Sequence, residues 1–305
     1  MSKVAAFLFL ILSFALLNPM PGVAGPLYTT EDDSTATDPV QKGPWRIDII
    51  GRLAAAQTGS QNWAEGGANT LTSTLGLESK IIYSAQRWSH THETKFALGA
   101  LKQDTLDFRK ATDEIRIRSS FEYKGDGVFK NIKPTIATDI STQFAAGYNH
   151  KKNPFEGEEQ LPAKVSGFFA PATFVQTLGF TYSKKESFKQ RLGVGAKQTV
   201  VGIEKIRQLH KMDPDQSVRF ELGIESRTHL DRELFDNVRF KSSLGFFAAF
   251  NKPDLPDLLW ENEVLMKVNK WLGVQMEFKA LYDRDVATQL QLREAFSLGI
   301  SYDLI

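Results

Sequence analysis

From Glu294 onward the chain alternates strictly: Phe296, Leu298, Ile300, Tyr302 and Leu304 fall on one face of an extended strand, and Ala295, Ser297, Gly299, Ser301 and Asp303 on the other. The segment before it repeats the scheme. Leu272, Val274, Met276, Phe278, Ala280 and Tyr282 oppose Gly273, Gln275, Glu277 and Lys279. Val218, Phe220, Leu222 and Ile224 oppose Arg219, Glu221, Gly223 and Glu225. Earlier, Ile115, Ile117, Phe121 and Tyr123 alternate with Glu114, Arg116, Arg118, Ser120 and Glu122, and Leu75, Leu77, Ile81 and Tyr83 with Gly76, Glu78 and Lys80. About twelve such segments run from Trp45 to the C-terminus, most of them longer than an ordinary globular strand.

A soluble β-sandwich alternates too, but its polar face looks at bulk water and tolerates any mixture. Here glycines and paired opposite charges recur on the polar face, which suits a confined, wet interior. Connection lengths point the same way. Tight turns are expected near Ala85–Arg87, Gly125–Gly127, Ser183–Glu186, Leu230–Arg232 and Asn269–Lys270. Between them fall longer stretches: 59–69, 103–112, 149–164, 201–216, 251–257 and 283–292. Short turns at one end and long loops at the other are the asymmetry of a transmembrane barrel. Aromatic residues mark the tight-turn end, with Tyr83 and Trp88, Tyr123 and Phe129, and Tyr182 and Phe188 flanking turns, Trp271 at the last, and Trp45 and Tyr302 near the termini. Phe144, Tyr148, Phe250, Trp260 and Tyr282 are candidates for a second girdle at the other end. The expected fold is all-β, an antiparallel up-and-down transmembrane barrel of about twelve strands.

The N-terminus supports export. Lys3 precedes the apolar run Val4–Leu17, and Asn18–Ala24 offers small residues suited to signal-peptidase cleavage. Residues 1–24 read as a cleaved signal peptide, 25–44 as a flexible lead-in rich in Thr, Asp, Ser and Pro, and 45–305 as the barrel. No later segment carries the ~20 apolar residues of a spanning helix. The whole sequence has no cysteine, which removes disulfides, thiolate metal sites and cysteine nucleophiles. A formal net charge of +1 argues against a nucleic-acid binder. The expected location is the bacterial outer membrane, with lipid, possible contact between the 149–160 loop and lipopolysaccharide phosphates, and the barrel assembly machinery as partners, and a monomer as the assembly.

Two motifs carry a resemblance. The stretch Asn62-Trp63-Ala64-Glu65-Gly66-Gly67-Ala68-Asn69 resembles the N-W-x-x-G-G-x-N signature of an uncharacterised family of bacterial outer-membrane β-barrel proteins, in which it follows the first strand. Ser297–Leu304 resembles the C-terminal signal read by the barrel assembly machinery, although Ile305 rather than phenylalanine ends the chain. The resemblance implies fold and location and brings no catalytic residue. In the signature, Gly66 and Gly67 permit positive φ, Asn62 and Asn69 can close local turns, and Trp63 serves either as an interfacial anchor or as a ligand-stacking platform.

The densest chemistry is the charged inner face. Its candidates are Arg46, Asp48, Arg52, Glu78, Lys80, Glu93, Lys95, Arg116, Arg118, Arg219, Glu221, Glu225, Arg227, Arg239, Lys241, Glu261, Glu263, Glu277 and Lys279. A circular twelve-stranded wall is ~24 Å across, leaving on the order of 10 Å between long side chains, or nothing if they pair across the lumen. Two readings stand side by side: a narrow conduit for small hydrophilic solutes with charge-based selectivity, or a barrel braced shut by ion pairs whose outer loops carry binding. An outer-membrane hydrolase is a third, but no nucleophile elbow or metal-ligand spacing appears, and no cofactor is expected. His90 and His92 share the outward face near the tight-turn interface, where a surface metal pair competes with ordinary interfacial histidines. The carboxyls of Glu261 and Glu263 face the lumen together, with Lys267 and arginines expected to pair with them.

Overall fold

The structure, a computed structural model, describes residues 40–58, 70–103, 106–155, 157–184, 187–286 and 289–303. The signal peptide and most of the lead-in lie outside the described residues. Twelve strands form the wall: β1 (Trp45–Thr58), β2 (Thr70–Ser84), β3 (Trp88–Gln103), β4 (Arg109–Tyr123), β5 (Ile132–Thr142), β6 (Ala172–Lys184), β7 (Phe188–Val200), β8 (Val218–Phe235), β9 (Val238–Ala249), β10 (Asp257–Lys267), β11 (Leu272–Tyr282) and β12 (Gln291–Asp303). Each pairs antiparallel with its sequence neighbours, and β12 returns to pair with β1, so the sheet closes. Closure gives every wall strand a hydrogen-bonded neighbour on both sides, the condition for strands to stand in hydrocarbon. Among the described residues the closing seam is short, running from Leu298 opposite Ala55 to Asp303 opposite Ile50.

Burial is inside out relative to a soluble protein. On the outer face Leu75, Leu178 and Phe296 are 64%, 68% and 65% exposed, while on the inner face Glu221 and Glu225 are 6% and 2% exposed. Apolar side chains therefore contact whatever surrounds the barrel, and charged ones contact each other. Rings gather at the short-turn end as expected: Trp45 lies 4.7 Å from Tyr83, Trp88 lies 5.0 Å from Tyr123, and Tyr182 lies 6.5 Å from Phe188, centroid to centroid.

Three connections differ from the expectation. Leu230–Arg232 is not a turn; β8 runs on to Phe235 and reverses at Asp236–Asn237, where Asn237 adopts φ +64°. Asparagine tolerates that left-handed conformation better than Leu, Asp or Arg in a run, so the turn moved to where the backbone chemistry allows it. The link from β4 to β5 is longer than expected because a 3-10 turn, Gly127–Lys130, is built into it. The loop between β5 and β6 contains a small hairpin of its own, Gly147–Asn149 with Ala163–Ser166. At the N-terminal end, Val40–Lys42 folds back beside the start of β1 through Gly43, at φ +62°, and Pro44.

Two wall strands approach closely where glycines face each other. Gly179 of β6 and Gly193 of β7 are register partners, and a Cβ on either would collide with the backbone carbonyl of the other strand, Leu192 or Leu178. At Gly76, by contrast, the nearest atom to an added Cβ is the Arg52 Cβ at 3.7 Å, ordinary contact. Gly179→Ala is therefore expected to destabilise the barrel by about 1–3 kcal/mol, and Gly76→Ala to leave it nearly unchanged. Urea unfolding followed by the heat-dependent gel shift measures the difference; equal midpoints for the two variants would contradict it.

Candidate functional site: the ion-paired lumen

Period-two alternation carries all nineteen predicted lumen residues to the inner face, and most meet a partner of opposite charge. Arg52 pairs with Glu78 on the adjacent strand, Lys95 lies 3.9 Å from the same carboxyl, and Lys80 is 3.4 Å from Glu93. Near the long-loop end Arg219 meets Glu221 at 3.3 Å and Asp285 at 2.9 Å. Toward the short-turn end Arg239 holds Asp231 through bonds of 2.6 and 2.9 Å. Lys241 stands 3.8 Å from Glu263, which also accepts a 2.7 Å hydrogen bond from Gln275, as does Glu277. Arg46 is exposed and Asp48 half-buried at the same end of β1.

The pair that decides the lumen's state is Arg116 with Glu261. Both guanidinium nitrogens of Arg116 donate to the carboxylate at 2.6 Å. Arg116 lies on β4 and Glu261 on β10, which are diametrically opposite in a twelve-stranded ring. An extended arginine, an extended glutamate and the bond between them reach at most ~15 Å from Cα to Cα. A circular wall would hold these positions ~24 Å apart. The circular expectation is therefore wrong here: the barrel is pinched across β4 and β10. Neighbouring contacts continue the pinch. Lys279 reaches Glu261 at 3.1 Å and Glu114 at 3.8 Å, Lys95 reaches Glu277 at 3.6 Å, and Arg293 of β12 donates to the Thr112 hydroxyl at 2.6 Å. Glu261 and Glu263 do point inward together, but Arg116 and Lys279 neutralise the first and Lys241 attends the second; Lys267 has no part in it.

Several members of this network were missing from the sequence reading. Asp139 of β5 gathers Arg118 at 3.2 Å, Arg191 at 2.5 Å and Arg227 at 3.7 Å, and Arg191 also binds Glu225 at 2.9 Å. Lys197 of β7 pairs with Asp257. The signal was present: Ile136, Thr138 and Ile140 alternate with Ala137, Asp139 and Ser141, and Leu192, Val194 and Ala196 with Arg191, Gly193, Gly195 and Lys197. The five signature residues Asn62, Trp63, Gly66, Gly67 and Asn69 lie outside the described residues. His90 stacks flat on Phe121 at 4.0 Å and bonds the Ser119 hydroxyl at 2.8 Å, on the outward face, with His92 6.3 Å away.

The outer mouth is knit together by its loops. Ala170 from the β5–β6 loop packs with Val201, Ile206 and Met212 from the β7–β8 loop, which carries a short helix, α1 (Glu204–Arg207). Lys205 bridges the two loops by pairing with Glu158 at 2.6 Å and standing over the Phe155 ring at 4.7 Å. Lys211 then donates to the Arg284 carbonyl at 2.6 Å in the β11–β12 loop, and Arg219 donates to the His210 carbonyl at 2.8 Å.

These features define the class: a closed twelve-stranded antiparallel β-barrel of the outer-membrane type, with hydrocarbon-compatible flanks and a polar, self-neutralised interior. A family model described as a protein of unknown function (DUF3078) matches residues 55–148. None of the curated proteins matches this sequence. Among solved structures, the COG4313 outer membrane channel from Pseudomonas putida F1 aligns at 9% identity over 90% of this chain and 99% of its own, with a TM-score of 0.39. The translocator domain of the autotransporter NalP from Neisseria meningitidis aligns at 9% identity over 86% and 89%, with a TM-score of 0.38. The Pseudomonas putida toluene transporter TodX aligns at 8% identity over 91% and 94%, with a TM-score of 0.30. Likenesses of this size carry no argument about cargo.

His210 lies buried beneath the outer loops, where burial and then the nearby Arg219 hold its imidazole below its ordinary value of 6.5. Asp283 and Asp285 oppose that shift and Lys197 adds to it. A base whose folded value is depressed contributes stability that is complete above the unfolded value and declines as pH falls toward the folded one. Acidifying from neutral pH through 6.5 is therefore expected to loosen the β7–β8 loop. Trypsin cleavage after Arg207 or Lys211 should speed up severalfold on acidification, after correction for the enzyme's own pH profile. His210→Leu should flatten that response, and an unchanged pH dependence in the variant would count against it.

Proposed function

We propose that the protein is an exported, monomeric, non-enzymatic outer-membrane barrel whose lumen is shut at rest by ion pairs, leaving binding to its linked outer loops and to lipid. The Arg116–Glu261 bridge between opposite walls carries this reading. Charges removed from bulk water hold each other strongly when geometry is bidentate, and removing one partner leaves the other uncompensated. The lysines of the 149–160 loop suit lipopolysaccharide phosphates, and the C-terminal strand suits the assembly machinery. A second reading, a narrow conduit for small hydrophilic solutes, is favoured by one observation: the bridge is made of side chains, which swing aside without unfolding the wall.

Planar-bilayer recording separates the two. The native barrel is expected to stay silent, and the double variant Arg116→Ala with Glu261→Ala to open a steady conductance. Ohmic conduction by the native protein would sink the closed reading and favour the conduit. Location is tested by fractionation: the protein should appear in outer-membrane fractions and run faster unboiled than boiled. A soluble band indifferent to boiling would remove the outer-membrane assignment altogether.

A further inference from the structure

The pinch divides the lumen, and the lobe on the β5–β9 side is not filled. Between the bridge and the short-turn rim it encloses about 90 Å³, room for on the order of six water molecules or one small anion. Four cations line it, Arg118, Arg191, Arg227 and Lys189, against the carboxylates of Glu93, Glu122, Asp139 and Glu225. Two of those carboxylates are already engaged from outside the lobe, Glu93 by Lys80 at 3.4 Å and Glu122 by Lys133 at 3.0 Å. Positive charge is therefore in excess within it.

The excess is concentrated on one side chain. Arg191 takes both oxygens of Glu225, at 3.1 and 2.9 Å, and Asp139 besides, and Arg118 also lies against Asp139. Arg227 is the third guanidinium at two occupied carboxylates. It offers them only its Nε edge, at 3.5 Å from Glu225 and 3.7 Å from Asp139, and that Nε is buried without a hydrogen bond. Its plane lies over Gly245, where the position of an absent Cβ is 3.5 to 3.6 Å from Nη1, Cζ and Nη2. Neither terminal nitrogen has a hydrogen-bond partner among the described residues. A guanidinium fork with free N–H groups, facing a polar recess of the lumen, is a receptor for a planar or tetrahedral oxyanion. The hydroxyls of Ser120 and Ser243 line the same recess and supply donors for further ligand oxygens.

We propose that this lobe is a binding site for a small oxyanion, a carboxylate or a phosphate, held by the Arg227 fork. The lobe adjoins the Arg116–Glu261 bridge, since Arg118 of its lining also lies 3.6 Å from Glu261; the site is read by ligand binding to the folded barrel and the closed lumen by conductance, so the two can fail separately. Calorimetric titration of the purified, folded barrel at low ionic strength tests it, with inorganic phosphate and acetate as probes and chloride as the control. Saturable binding of at least one oxyanion in the millimolar range is expected. Binding of phosphate alone or acetate alone identifies the class. Arg227→Lys keeps the charge but removes the fork and should weaken binding about tenfold; Ser243→Ala keeps every charge and should weaken it severalfold. The heat-dependent gel shift certifies that each variant is folded, and Ser243→Ala decides alone if Arg227→Lys is not. No saturable heat with either probe, affinity untouched in the folded variants, or chloride competing as well as phosphate overturns the site.

Discussion

Hydrocarbon offers no hydrogen-bond partner, so a strand can stand in it only if every backbone N–H and C=O is satisfied by the strands beside it. Everything else in this molecule follows from that restriction. It forces the sheet to close, favours apolar side chains on the outer face, and sends the charged residues of the wall strands inward. The exposed leucines and phenylalanines and the buried glutamates and arginines are two sides of one pattern with a period of two residues.

Once inside, the charges must neutralise one another. An isolated charge in a secluded interior costs several kcal/mol, so partners have to be found across whatever distance separates them. Adjacent-strand pairs such as Lys80 with Glu93 meet this locally, whereas Arg116 and Glu261 meet it across the barrel. The wall deforms to let them. The pinch is thus an electrostatic consequence of the restricted interior, and the unfilled lobe beside it is the volume the deformation leaves over. The conformational freedom for such bending comes from positions like Gly179 and Gly193, where two strands approach more closely than any side chain permits.

Strand number and facing were legible in the sequence because both rest on alternation, which a linear pattern reports faithfully, whereas Asp139, Arg191 and Lys197 of the inner face were overlooked. The Asp236–Asn237 reversal was misplaced because the run from His229 to Phe235 mixes polar and apolar residues, and only the left-handed tolerance of Asn237 settles the point. Partner choice was not legible. Alternation says that Glu261 faces inward but not that Arg116, 145 positions earlier, will reach it, since that depends on ring geometry and cross-section. For the same reason the sequence marked Arg227 as one inward cation among many, and only the crowding at Asp139 and Glu225 distinguishes it.

The seam between β1 and β12 joins the two wall strands most distant along the chain by the shortest ladder of any wall pair among the described residues, six rungs from Leu298 to Asp303 against eight between β4 and β5. Bringing such remote ends together carries the largest loop-closure entropy in the molecule. It is recovered through few bonds. Hairpins along the rest of the wall zip from local turns, so the ring is completed by its least cooperative step, and an unfinished barrel exposes these two edges to any strand that can template them.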